Sequence, residues 1–175
     1  IPDNVRRIFH TRLRVGASSL LAGAELNAIR DKLPEGITFH DVPTGSLQPL
    51  QQLHISGTHE ALEEATRVLK GELAPSWVLD RIRRVSKAQG EDIVAVEMTV
   101  TADSRLITRT LASSGVADLY GVAVLGIHRR NRMLGERDVH SEAGDLHILE
   151  GDVLLVMGIE DDLHTFALND GLLRL

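Results

Sequence analysis

Laid on itself with an offset of 85 positions, the sequence matches without a gap between residues 15–42 and residues 100–127. Val15, Ala17, Ser19, Leu21, Leu26 and Gly36 fall on Val100, Ala102, Ser104, Leu106, Leu111 and Gly121, six identities in 28 positions. Ordinary composition returns roughly two by chance. The substitutions also keep their character: Phe9, Leu13, Ile37, Phe39 and Val42 lie on Val94, Met98, Val122, Val124 and Ile127, in the same period-2 phase. The match resumes with Leu53, Ile55 and Gly57 on Leu154, Val156 and Gly158 at an offset of 101, so the second half carries 101 − 85 = 16 additional residues before its last strand. A chain of 175 residues is therefore read as two small units with one fold pattern, not as one medium domain.

The second half is the easier to read. Val94, Val96, Met98 and Val100 alternate with Glu97 and Thr99, which predicts a half-buried strand over 93–100. Asp103 and Ser104 stand where side-chain oxygens cap a helix running to Leu111, and the repeated Ser19 and Ser104 are read as caps, not nucleophiles. Gly121 opens a β-branched strand, Val122 to Ile127, and His128 to Asn131 end it. Gly151 and Asp152 introduce a strand from Val153 to Met157, Gly158 breaks it, and Glu160, Asp161 and Asp162 supply the acidic first turn of a closing helix. In the first half Thr58 caps a closing helix on which Ala61, Leu62, Ala65, Val68 and Leu69 recur at helical spacing, with Gly71 at its end. Between the halves, Trp77, Leu79, Ile82 and Val85 form the apolar stripe of a connecting helix bounded by Pro75 and Gly90. The expectation is an α+β fold of two tandem β-α-β-β-β-α sandwiches, with domains at 1–74 and 91–175 and the connecting helix at 75–90.

Several function classes fall away at this level. A net charge of −6 and an aromatic share of 3% oppose nucleic-acid binding, which needs a basic field and stacking surfaces. The absence of cysteine removes disulfides, thiolate metal sites and cysteine nucleophiles. No apolar run reaches the roughly 18–20 residues of a membrane span, and the start at Ile1 is read as the edge of a fragment of a longer protein. There is no nucleophile elbow, phosphate loop or dinucleotide fingerprint, so no enzyme is indicated and no catalytic residue or cofactor is assigned. The eight histidines, His10, His40, His54, His59, His128, His140, His147 and His164, are scattered, with no spacing that seats two metal ligands on one helix face. The one basic cluster, His128, Arg129, Arg130 and Arg132, follows the apolar strand and has two readings. Arginine forks there suit a small anion, and charges at a hairpin edge also discourage aggregation.

The run from Val96 through Val100, Ala102 and Ser104, then Thr110 and Leu111, Tyr120 to Val124, Ile127 and Arg129, and Leu149, Gly151, Asp152 to Val156 and Gly158, resembles the TrkA-C domain, also called RCK-C. The first half resembles a degenerate copy, because Pro49 to Gln52 stand in place of the Gly-Asp pair. Two such copies in tandem resemble the cytosolic insertion of divalent anion:sodium symporters, which include sulfate and dicarboxylate carriers. The resemblance implies a regulatory module on the cytoplasmic face of a membrane, joined to a transmembrane part of the same polypeptide and forming a homodimer. It further implies a small regulatory ligand such as a cyclic dinucleotide near Ile127, His128 and Arg129, while the anion reading of the basic cluster centres on Arg129 and Arg130. The alternative it leaves open is the regulatory domain of a potassium channel or cation:proton antiporter.

Overall fold

The computed structural model describes residues 7–19, 22–111, 113–129 and 146–175, and the chain divides into two compact units, residues 1–73 and 74–175. The first unit holds strand β1 (Phe9–Arg14), the short helix α1 (Leu26–Ile29), β2 (Thr38–His40), β3 (Gln52–Gly57) and helix α2 (His59–Leu69). β3 lies between β2 and β1 and pairs antiparallel with both. Along β1 the side chains alternate, so Phe9, Thr11 and Leu13 are buried and His10, Arg12 and Arg14 occupy the opposite face. The buried set meets Leu53 and Ile55 of β3, while α2 buries Ala61, Leu62, Ala65 and Leu69. The Thr58 hydroxyl accepts a hydrogen bond from the Ala61 amide at 3.1 Å, which caps α2 as expected. The helix ends with Lys70, not Gly71, in the left-handed conformation at φ 46°.

The second unit begins with α3 (Ser76–Gln89) and continues with β4 (Ile93–Val100), α4 (Val116–Tyr120), β5 (Ala123–His128), β6 (Val153–Ile159), α5 (Glu160–Asp170) and β7 (Leu172–Arg174). Its strands lie in the order β5, β6, β4, β7, all antiparallel. β6 is apolar along nearly its whole length because both faces are covered. On one face Met98, Leu154 and Val156 pack with Leu163 and Phe166 of α5. On the other, Val78, Leu79 and Ile82 of α3 pack on Ala123, Leu125 and Met157. The helix between the halves thus shares a core with the second unit's sheet.

Both units use one pairing register under the two sequence offsets. Leu13 opposite Leu53, Thr11 opposite Ile55 and Phe9 opposite Gly57 correspond to Met98 opposite Leu154, Val96 opposite Val156 and Val94 opposite Gly158. The loop bonds correspond as well. The Val15 amide donates to Gln51 and the Leu50 amide to Val15; the Val100 amide donates to Asp152 and the Gly151 amide to Val100. Where the second unit has Gly151 at φ 86°, Leu50 takes the same left-handed region at φ 66°. The first unit therefore reproduces the turn without the Gly-Asp pair, at the strain a side chain meets there.

Three expectations need correction. No helix spans 103–111: the Ser104 hydroxyl does accept the Leu106 amide at 3.1 Å, but within a series of turns where Thr108 is left-handed, and the helix forms later as α4. Gly158 does not break its strand, because β6 continues to Ile159. A Cβ there would meet Val122 at 3.1 Å and Leu163 at 3.6 Å, so the glycine admits close packing. In the first unit the extra strand expected before the last one is reduced to an isolated bridge, Glu25 to Ser46; in the second unit the stretch where it is expected, 130–145, lies outside the described residues, next to an isolated bridge of Thr110 to His147.

Candidate functional site

The basic cluster at the end of β5 resolves into different environments. Ile127 is fully buried in the core against α5, so it shapes the strand end without offering polar atoms. His128 is half-buried and pairs across to Val153. Arg129 turns its guanidinium onto Asp152: Nε donates to Oδ1 at 3.0 Å and Nη2 to Oδ2 at 3.1 Å, and Nη2 also donates to the His147 carbonyl at 2.8 Å. Asp152 is 1% exposed and also accepts the Leu149 amide at 2.8 Å. Such a bidentate pair fixes both planes and satisfies a buried carboxylate. Arg129 and the Gly-Asp pair that marks the motif thus form one latch between β5 and the turn before β6. Arg130 and Arg132 lie outside the described residues.

A second network ties the end of α5 to α4. Asp170 is fully buried, and its Oδ1 accepts from Arg105 Nε at 2.6 Å and from the Tyr120 hydroxyl at 2.7 Å. Arg105 also donates to the Ser114 carbonyl at 3.2 Å. Burial, then the neighbouring carboxylate, raises the Tyr120 pKa above the usual phenol value, and the bond to Asp170 raises that of Arg105. These groups hold one another and the turn between β4 and α4. At the other end of α5, Glu160, Asp161 and Asp162 do occupy the first turn, where the helix dipole favours them. Glu160 takes both Arg174 nitrogens at 2.5 and 2.7 Å, and burial raises the Asp162 pKa, helped by Asp161.

The histidines are less dispersed than their spacing suggests. His10 of β1, His40 of β2 and His54 of β3 meet on the face of the first unit opposite Phe9 and Leu13, with ring centroids 5.1, 5.9 and 4.8 Å apart. Arg12 stands opposite His54 in the strand register, and His10 opposite Ser56. His40 Nε2 and the Ser56 hydroxyl share a hydrogen bond of 2.9 Å. Burial first, then His40, Arg12 and His10, lower the His54 pKa from 6.5 to about 4, against a small opposing pull from Asp41. The period-2 alternation of β1 already set His10 and Arg12 on the polar face. Their partners on β2 and β3 depended on a register that sequence spacing does not express.

Comparison with known families finds one TrkA-C domain, at residues 95–169. That stretch runs from β4 to the end of α5 and includes the Arg129–Asp152 latch and the Tyr120–Asp170–Arg105 network. A TrkA-C domain suggests a regulatory role in ion transport. No curated protein matches the chain significantly. Among the described residues, no helix is long and apolar enough to cross a membrane.

Proposed function

We propose that the chain is a non-catalytic regulatory module of a membrane transporter, made of two TrkA-C-type units in tandem. The TrkA-C match at residues 95–169 carries this reading. The tandem part is supported by the residue-by-residue correspondence of pairings and loop bonds in the first unit. In its specific form, the module is cytosolic, belongs to a sodium-coupled sulfate or dicarboxylate symporter, and acts as a homodimer joined to the transmembrane part of its own polypeptide. Regulation then consists of a difference in free energy between dimer arrangements, which a ligand shifts only by binding one arrangement more tightly.

Light scattering of the full chain over a hundredfold concentration range tests the assembly. A dimer mass at the upper end is expected, and a monomer throughout overturns the dimer mechanism. The ligand part places a cyclic dinucleotide or anion at the β5 end beside Ile127, His128, Arg129 and Arg130. Calorimetric titration with cyclic di-AMP is expected to give saturable heat, reduced by His128→Ala, and the absence of heat removes that part.

A further inference from the structure

The polar face of the first unit has the chemistry of an anion site. On it, Arg12 Nε and His54 Nδ1 are buried and have no hydrogen-bond partner among the described residues. His54 is 5% exposed, so water does not replace a partner there. A buried, unanswered polar atom loses its hydration without replacement, and native structures hold few of them without a ligand, ion or water to explain them. The two belong to residues directly opposite one another across β1 and β3. Around them stand His10 and His40, and the Ser56 hydroxyl is engaged with His40. Among the described residues the group is one guanidinium and three imidazoles, with Asp41 an acid that acts on His54.

The corresponding positions of the second unit separate site from scaffold. Under the same offsets His10, Arg12, His54 and Ser56 become Ala95, Glu97, Leu155 and Met157, and His40 becomes Leu125. There Leu125 and Met157 receive α3. The register does not require donors at these positions, so their concentration on one face of the first unit calls for its own explanation. A cation is a poor occupant. Among the described residues no three His, Cys, Asp or Glu side chains have the geometry of a metal site, and Arg12 would oppose a divalent charge.

We propose that this face binds a small oxyanion, a sulfate, phosphate or carboxylate group, with Arg12 and His54 donating directly and His10 and His40 flanking it. An anion places a negative charge beside His54, so binding favours its protonated form, takes up protons and tightens as pH falls. The groups that face His54 and set this linkage are His10, His40 and Arg12, with Asp41 opposing. The inference concerns the first unit alone and stands whether or not the chain forms a dimer.

Calorimetry of the full chain in chloride buffer, with sulfate, inorganic phosphate and citrate as separate probes at pH 7.5 and 6.0, tests it. At least one probe is expected to bind at one site per chain, about tenfold or more tighter at pH 6.0, as expected when roughly one proton is taken up per anion. Proton uptake should appear as heat that depends on the buffer. Arg12→Gln should weaken binding tenfold or more, and His54→Gln should weaken it and remove the proton uptake, while Arg30→Gln on the exposed surface leaves it unchanged. Histidine ring signals in NMR provide a reading that needs no variant: those of His10, His40 and His54 should move together on titration. The proposal is overturned if all three probes fail at millimolar concentration, if binding survives Arg12→Gln in a folded chain, or if zinc alone binds stoichiometrically through the three histidines.

Discussion

Replacing Arg129 with methionine removes the guanidinium of the β5 latch and keeps most of the aliphatic stem. Asp152 then loses both side-chain bonds, at 3.0 and 3.1 Å, and retains only the Leu149 amide. The carboxylate stays in place at 1% exposure while its partner, itself 13% exposed, is gone. Removing one member of a buried pair costs about 3–5 kcal/mol. The remaining amide bond and the exposed edge of the site put the expected loss near the lower limit, about 3 kcal/mol. The chain has one tryptophan, Trp77, and it lies in α3, so its fluorescence reports on the second unit during urea unfolding. With a slope of about 1.5–2 kcal/mol/M for a unit of this size, the midpoint should fall by roughly 1.5–2 M. Combining Arg129→Met with Asp152→Asn should recover a large part of the loss, because the stranded charge is removed and the Leu149 amide keeps an acceptor. A loss below about 1 kcal/mol for the single variant would be the behaviour of a surface pair. It would refute the latch and leave Arg129 as a residue whose purpose is a ligand.

The His54 environment makes the first unit sensitive to acid. Its folded pKa of about 4 lies below the ordinary 6.5, so the unfolded chain takes the proton first. This contribution to stability is complete above pH 6.5, declines as pH falls, and is lost by about pH 4, a total of roughly 3 kcal/mol. Urea curves from pH 7.5 to 4.5 in chloride buffer, followed by circular dichroism, should show a smaller decline for His54→Gln than for the parent chain, and parallel curves would refute the assignment. Tyr120 is the only tyrosine, so absorbance titration reads it directly. It should ionise at higher pH than a free phenol, and Tyr120→Phe should cost about 2 kcal/mol by leaving Asp170 with Arg105 alone. Thr58→Ala removes the α2 cap and should cost about 1 kcal/mol, with Thr58→Asp close to neutral.

The features legible in the sequence were those decided within a few residues. Thr58 and the acidic run Glu160 to Asp162 marked helix starts because caps and dipole effects act within one turn. The alternation in β4 named its strand for the same reason. The misreadings occurred where distant residues decided. Ser104 has the chemistry of a cap, but its turn is held by Arg105 on Asp170 and by the Thr108 amide on Ile148, and no helix forms there. Gly158 has the composition of a breaker, yet Val122 and Leu163 determine why it is glycine. Arg129 looked like an exposed fork at a strand end, because nothing local indicates that Asp152 lies 3.0 Å away. The histidines are the same case, separated by 30 and 14 residues in sequence and joined by pairing across three strands.

The two units share a strand register and differ in what one face does. Side chains in a strand alternate between faces, so a shared register conserves two independent sets. The inner set is apolar apart from Thr11: Phe9, Thr11, Leu13, Leu53 and Ile55 in the first unit, Val94, Val96, Met98, Leu154 and Val156 in the second. The outer set differs completely in chemistry. In the second unit it includes Leu125, Leu155 and Met157, and it contributes to the packing of α3. In the first it is His10, Arg12, His40, His54 and Ser56, of which Arg12 Nε and His54 Nδ1 have no partner among the described residues, on a sheet already held by the inner set. Substitution on this face should therefore alter binding and acid sensitivity with little change in pairing. Substitution of Leu13 or Ile55 should unfold the unit before any effect on a ligand can be measured.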